Sequence, residues 1–492
     1  MGFKIREIDV ECKFSQALTV DALDRAVPSH AIAAALAHHD KVTVRDRKLN
    51  LPLTVWLVIA LHLFPTVSIS GVLRKLARGL RFIWSDPSLP LPTDSALAYR
   101  RAQLGAPPVV TLFKHLCQPI ATPHTRGAFL FGLRLMALDG TTEDVPDTPA
   151  NAAMFGRHSS ARGPSAFPQL QGVYLVESGT HVVVDAGFWP CRTSERVGGF
   201  RLLRSVGRAM LVMWDRGFHD FDMLLAVRKR QAHVLSRLPA HVKPQLLRRL
   251  PDGSDLAYLL PSQDARRRQG ERLLVRVVSY TITDPALPGY GKEHRVITTL
   301  LNPRVAPAHE VACAYHERWE VEMVIDEIDT HQRLVGRTLR SLTPVGVIQE
   351  VYGVLLAHYA VRVLMHEAAL RADEDPDRLS FVHALEIVRD AVAEFQMVAE
   401  EQQTALYERM LADIAAKRLP ARRSRWNARV VKRKMSNYKL KRGQHLRPPP
   451  LQGAFRDAVR IQPPSVLELP QHKRRDPNVM TLELPQREVI LI

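Results

Sequence analysis

The spacing of apolar positions changes near residue 126, and with it the kind of element the chain encodes. Before that point apolar residues recur every three or four positions in AIAAALAHH, LPLTVWLVIALHLFPTVSI and SGVLRKLARGL, the spacing of helices. A Pro-rich break, SDPSLPLPTD, precedes one more helix, SALAYRRAQLG, with Thr93, Asp94 or Ser95 as its cap and Gly105 as its stop. After it, FLFGLRLMALDG reads as a strand ending at Asp139. GVYLVESGTHVVVDA reads as two strands joined at Ser178-Gly179-Thr180, and RAMLVMWDRG as a strand ending at Asp215. SERVGGFRLLRSVG and HDFDMLLAVRKRQ read as helices. Three strands, a helix, a strand and a helix predict an α/β fold, a mixed sheet covered by helices. Both aspartates then stand at strand C-terminal ends, where open sheets bind their ligands.

From Asp215 the chain runs far longer than a direct return to the sheet needs. LLVRVVSYTITDPALPGYGKEHRVITTLL, with β-branched runs around a turn-rich PGYGK, makes that interval a β-rich insertion. APAHEVACAYHERWEVEMVIDEIDTHQ then reads as one long helix, with further helices to about residue 415. Lys417 to Arg447 contains no acid and alternates basic residues with Trp426 and Tyr438. The expected division is a helical, DNA-binding N-terminal domain (1–125), a first part of the core (126–235) and the insertion (236–301). A second part of the core with a helical extension (302–416), a basic DNA-contacting segment (417–447) and a poorly ordered Pro-rich tail (448–492) follow.

Composition narrows the class. At 492 residues and 46% hydrophobic content the chain can bury a large core. Its net charge of +18 points to a polyanionic partner. The four cysteines, Cys12, Cys117, Cys191 and Cys313, form no CxxC pair. That argues against a structural zinc site or a disulfide framework and fits a reducing cytoplasm. No signal-peptide pattern opens the sequence. The run from Leu51 to Ile69 is long enough to span a membrane, but His62, Pro65 and the amphipathic stretch after it favour a buried core helix.

The candidate chemistry centres on Tyr315-His-Glu-Arg318-Trp-Glu-Val-Glu322. On a helix, Tyr315, Arg318 and Glu322 share one face at i, i+3 and i+7. A phenol, a guanidinium and a carboxylate together suit a phosphodiester held beside a metal. Phosphodiester cleavage needs charge neutralisation at the attacking and leaving oxygens, which two carboxylate-held divalent ions supply. Asp139, Asp215 and Glu322 form an all-oxygen set suited to Mg²⁺ or Mn²⁺, two ions, and not to zinc. Each also has a plainer reading. Asp139-Gly140 can open a turn, Asp215 can cap the next helix, and Glu322 can pair with Arg318.

The ordered blocks LDGTTEDVPDTPANAAMFGR, VVVDAGFWPCRTSER, LVMWDRGFHDFDML, YHERWEVEMVIDEIDTH and VVKRKMSNYKLKR resemble those of the DDE transposases of insertion sequences, in the insertion-element-four group. The fourth block is similar to that group's Y-x2-R-x3-E-x6-K signature. The resemblance covers most of residues 30 to 445 and implies an RNase H-like core with a β-rich insertion and a helical N-terminal domain. It implies that Asp139, Asp215 and Glu322 are the catalytic, metal-binding triad, and that Tyr315 and Arg318 touch phosphates. Lys432, Arg433, Lys434, Lys439, Lys441 and Arg442, in the basic block, would grip the DNA backbone. The implied partners are double-stranded DNA, as the element's terminal inverted repeats and its target, and a second copy of the chain, on the nucleoid in the cytoplasm. The implied activity is cleavage at the element's ends and joining of the 3′-hydroxyls to target DNA. One position departs from the signature: Asp329 stands where it has lysine. An aspartate there repels a phosphate or adds a carboxylate near the metals, so either Arg333 or Arg337 replaces the contact or the copy is impaired. A transposase-derived DNA-binding protein without catalysis, and a nuclease without strand transfer, are the rival readings.

Overall fold

Strand β1 (Leu133–Asp144) is the axis of the molecule. The computed structural model describes residues 2–8, 12–41, 49–84, 91–160, 163–261, 271–285, 287, 289–333, 336–420, 430–431, 439–440, 442 and 455–462. On one side of β1, β2 (Gln169–Glu177) pairs antiparallel, and β3 (Val182–Pro190) pairs antiparallel to β2. On the other side, β4 (Met210–Trp214) runs parallel to β1 and β5 (His233–Arg237) parallel to β4. The order β3-β2-β1-β4-β5, with only β2 reversed, is an RNase H-like sheet. Leu135 to Leu138 of β1 and Leu170 to Glu177 of β2 are buried without alternation, so helices cover both faces.

The β-rich segment continues this sheet and is not a separate layer. Strands β6 (Gln245–Arg249), β7 (Asp255–Leu259), β8 (Leu273–Ile282) and β9 (Glu293–Thr298) extend it antiparallel in the spatial order β5-β9-β8-β7-β6. A last strand, β10 (Val459–Ile461), pairs with the end of β8 and follows a short helix, Phe455–Ala458. The expectation of poor order from residue 448 onward therefore does not hold for 455–461. Phe455, Ala458 and Val459 are buried beside Tyr280 and Ala312, and Arg456 pairs with Glu310.

Among the described residues the helices of seven residues or more are α1 (Ser29–Ala37), α2 (Leu51–Ala60), α3 (Ile69–Leu76), α4 (Asp94–Leu104), α5 (Pro107–Leu116) and α6 (Pro149–Phe155), then α7 (Glu195–Leu202) and α8 (Phe221–Lys229). After the β-rich segment come α9 (Ala308–His316), α10 (Glu320–Asp326), α11 (Pro344–Arg371), α12 (Phe381–Met397) and α13 (Gln403–Ala416). Thr93 caps α4 by accepting from the Ala96 N–H, and Gly105 ends it at φ +68°. The Leu51 to Ile69 run is not one helix. Its first part is α2, capped by Asn50 and buried at every position but Pro52. The chain then turns, because Arg340 donates to the carbonyls of Leu61, Phe64, Pro65 and Val67. Helix α11 is long and apolar enough to cross a membrane by length and composition, yet it is the buried centre of the helical mass, packed against α2, α5, α12 and α13.

Two helices sandwich the first half of the sheet. Tyr352 of α11 stacks edge-on against Phe188 and donates to the Ala186 carbonyl on one face. On the other face α7 lies very close, because Gly198 and Gly199 carry no side chains. A Cβ at Gly198 would stand 2.7 Å from Val173 Cγ2, and one at Gly199 would stand 2.8 Å from the Phe218 ring. The long helix expected over 306–332 begins at Ala308 and is interrupted twice, by a 3₁₀ turn at Glu317–Trp319 and a π-helical segment at Glu327–Gln332. The widened turn lets Glu327 face inward to α11 while Asp329 and Arg333 face β1.

Candidate active site

Asp139 is not at the end of its strand. Gly140 does not open a turn; its N–H bonds the Asp139 Oδ1, and β1 stays paired with β2 as far as Asp144. What stops at this level is pairing with β4, whose last registered pair is Ala137 with Met213. Asp139 therefore lies just past the carboxyl end of β4, and Asp215 follows that same end directly. Asp215 Oδ1 accepts from the Gly217 N–H at 2.6 Å, capping the turn Arg216–Phe218. The plainer capping reading thus holds without removing Asp215 from the site.

Glu322 reaches the same place from α10. Arg318, buried to 5% exposure, donates from one guanidinium nitrogen to Glu322 Oε1 at 3.0 Å and from the other to Asp139 Oδ2 at 3.4 Å. Tyr315 is buried beside it, and its phenol is raised by burial first and by the charge of Asp215 among the rest. So the structure brings together Asp139, Asp215, Tyr315, Arg318 and Glu322. Neither Tyr315 nor Arg318 is an exposed group; the guanidinium is spent on two carboxylates.

The electrostatics record the crowding. Burial pushes the Asp139 carboxyl up to about 6, Arg318 and the Gly140 N–H pull it back, and the charges of Glu322 and Asp215 push it up again. Carboxylates that raise one another are the donor set a hard divalent cation relieves, all oxygen and no sulfur. In this structure Arg318 supplies the positive charge between Asp139 and Glu322.

The helical segment runs alongside β1, matching it step for step. Arg318 meets Asp139, Asp329 accepts from the Thr141 hydroxyl, and Arg333 pairs with Glu143. Residues 139, 141 and 143 alternate onto one face of the strand. This corrects the reading of Asp329 as a group turned toward DNA. It faces the sheet, pairs with Arg333 at 3.1 Å, and its pKa is pushed up to about 7, by burial first and then by Asp326. Arg333 is equally committed and cannot replace a phosphate contact; Arg337 is exposed.

Sequence reasoning missed a buried charged cluster behind this helix. His181 Nε2 lies 2.8 Å from Glu320 Oε2 and 3.1 Å from Asp377 Oδ1. Arg362 and His358 both bond Glu327. Among the described residues, His181, Glu320 and Asp377 gather three potential ligand atoms within 4.8 Å. Arg362 also donates to His181 Nδ1, and every member is buried, so the cluster is neutralised from within. It clamps both ends of α10 against α11, and the signal for it was the pair Glu320 and Glu327, two turns apart. A second missed residue is Glu195, at the start of α7, whose carboxyl lies over Gly140.

Of the basic block, Lys432, Arg433, Lys434 and Lys441 lie outside the described residues, as do Trp426 and Tyr438. Lys439 belongs to a two-residue strand paired with Val430–Val431, and Arg442 is exposed.

A family model described as "Insertion element 4 transposase N-terminal" matches residues 17–114, and one described as "Transposase DDE domain" matches residues 130–360. The chain is 28% identical over 415 residues, 83% of its own length and 90% of the relative's, to the transposase InsG for insertion sequence element IS4 of Escherichia coli (strain K12). Among solved structures it is similar to a piggyBac transposase in a synaptic complex with hairpin DNA, seen by cryo-EM, at 12% identity and a TM-score of 0.42, covering 81% of this chain and 85% of that one.

Proposed function

We propose, for a chain that belongs to the DDE transposases of the insertion-element-four family, that it cleaves phosphodiester bonds at the ends of its element and joins the freed 3′-hydroxyls to target DNA. The observation that carries this reading is the Arg318 bridge between Asp139 and Glu322, set beside Asp215 at the end of β4.

Asp139, Asp215 and Glu322 would hold two Mg²⁺ or Mn²⁺ ions. Such ions lower the pKa of a water or 3′-hydroxyl nucleophile and neutralise the leaving oxygen. Asp139 must be ionised to serve, which its neighbours oppose and Arg318 assists. Tyr315 and Arg318 orient the phosphate once the carboxylates are otherwise neutralised, since a released guanidinium matches phosphate oxygens in bidentate fashion. The buried clamp through His181 and Arg362 fixes α10, and so the place of Glu322, relative to the sheet. The basic block from Lys432 to Arg442 would grip the DNA backbone of two paired ends, each held by one copy of a homodimer.

Asp329 does not weaken the catalytic reading, because it faces Thr141 and Arg333 and adds no repulsion at the DNA. Strand transfer separates this proposal from a plain nuclease. A labelled DNA carrying the element's end is incubated with supercoiled plasmid and Mg²⁺. Covalent joining of label to plasmid is expected; end cleavage without any joined product would leave only the nuclease.

A further inference from the structure

Helix α7 turns arginines and bare apolar groups to solvent beside the Asp139 and Asp215 positions. Between residues 192 and 216 the chain carries six arginines, no lysine and two acids, Glu195 and Asp215. The inner face of the helix, Gly198, Gly199 and Leu202, is buried against the sheet. Arg196, Val197, Phe200 and Arg201 fall on the outer face, at i, i+1, i+4 and i+5, and all four are exposed. The face adjoins the site at two points. Glu195 at its start lies over Gly140, and Arg196 reaches Asp220 at 3.7 Å, just past the turn that Asp215 caps.

This face is firmly mounted. The two glycines seat the helix against Val173, Leu138 and Phe218. At its end Arg204 forks onto the buried Asp185 at 2.7 and 2.9 Å, and Ser205 donates to the same carboxylate at 2.6 Å. Arg204 is thus spent on the fold. Arg192, Arg201, Arg208 and Arg216 are exposed, and no acid among the described residues pairs with them. Arg201 lies over the Trp189 ring, 5.4 Å from its centre. Phe200 and Val197 are 47% and 45% exposed, and a basic helix that only met water would have no use for them. Guanidinium groups match phosphate oxygens in forked pairs, and apolar side chains set among them suit the floor of a DNA groove.

Strand β1 separates this face from the side already given to the element's end. Asp139 and Glu143 meet Arg318 and Arg333 on one face of the strand, and Gly140 meets α7 on the other. Tyr315 and Arg318, which orient the phosphate in the proposed reaction, lie across β1 from the arginines of α7. Joining brings a second duplex to the same three acids, and the open basic face is on the side that the first duplex leaves free. We propose that the outer face of α7, through Arg196, Val197, Phe200 and Arg201, binds the target duplex. This rests on the strand-transfer reading of the site.

The test uses the full chain loaded with a pre-cleaved element end bearing a free 3′-hydroxyl, in wild type, Arg196→Ala/Arg201→Ala and Phe200→Ala, with circular dichroism to check folding. The Arg196–Asp220 pair is long and exposed, so its loss costs the fold little. Binding of a fluorescent duplex of unrelated sequence is measured over a range of salt with Mg²⁺ withheld. Joining of the pre-cleaved end to plasmid, and nicking of an uncleaved end, are measured in parallel with Mg²⁺. The double variant should bind the unrelated duplex about 10- to 100-fold more weakly, and the slope of log affinity against log salt should flatten by about 2, one phosphate contact per arginine. Phe200→Ala should weaken binding and leave that slope unchanged. Joining should fall in step, while nicking of the uncleaved end stays near wild type. Equal losses of nicking and joining would put the element's end on this face, and unchanged binding of the unrelated duplex would make it a merely solvated surface; either result overturns the inference. A wild type that nicks but joins nothing would instead defeat the strand-transfer reading beneath it.

Discussion

Arg318 reaches Asp139 across 179 residues of chain and contacts its Oδ2 at 3.4 Å, while its other nitrogen holds Glu322. One buried cation thus ties the acid of the first strand to the acid of the helix. Charges brought this close in a partly buried place would otherwise separate or take up protons. Arg318 therefore acts as a positional tie in the metal-free chain, and as a phosphate ligand in the proposed reaction.

Removing that tie should be costly to catalysis. Arg318→Ala is expected to lower Mg²⁺-dependent nicking of end-bearing DNA by about 10²–10³-fold, the usual loss when one charge-stabilising donor is removed. Arg318→Lys should recover little, because an ammonium cannot hold two acids or a phosphate in forked geometry. Near wild-type nicking by the lysine variant would show that charge alone matters there.

The raised Asp139 makes metal binding depend on pH. Its folded pKa of about 6 lies above the ordinary 3.8. For the metal-free protein this contribution to stability is complete below the ordinary value and lost as pH rises through about 6. Metal binding runs the other way, since it requires the ionised form. Mn²⁺ affinity should fall steeply as pH drops below about 6 and level off above it. Affinity that did not change across that pH would mean Asp139 is not a ligand.

Restoring the signature lysine should not restore a DNA contact. In Asp329→Lys a second cation would face Arg333 and leave that residue with Glu143 alone. Because Asp329 is about a third exposed, the loss should be modest for a broken ion pair, about 1–2 kcal/mol by urea unfolding. Binding to the element's end should be unchanged or weaker. Tighter binding with intact stability would mean the position turns outward.

The close seating of α7 can be tested through Gly199→Ala. Alanine gains roughly 1 kcal/mol in helix propensity. Its Cβ would meet a rigid ring at 2.8 Å, which forces the helix off the sheet at a cost of about 1–3 kcal/mol. A net loss of stability is expected in urea unfolding, and a gain would mean the helix has room to spare.

Much of the core was legible in the sequence, since short apolar runs such as MLVMW and VVVDA, bounded by turn residues, read as strands buried on both faces. The two aspartates and the Arg318–Glu322 pair followed from position and helical spacing. The course of β1 beyond Asp139 was not legible, because Gly140 and Thr141 read equally well as a turn until β2 pairs with them. Nor was the fusion of the β-rich segment to the core sheet, which depends on β5 meeting β9 some sixty residues on (Ser236 opposite Ile297). The inward turn of Asp329 depends on the π-helical segment, whose extra residue per turn no local pattern announced. Glu195 was hidden for a similar reason. Its place beside Gly140 depends on two helix glycines and a strand glycine meeting across the sheet, and each alone is only a small residue.

The central claim is that Asp139, Asp215 and Glu322 act as one metal site. Its most direct test compares wild type with Asp215→Ala for Mg²⁺-dependent nicking of DNA taken from the ends flanking this reading frame. The account predicts nicking by the wild type and loss of at least ~10³-fold in the variant, with folding retained. Nicking that survives the substitution would contradict it.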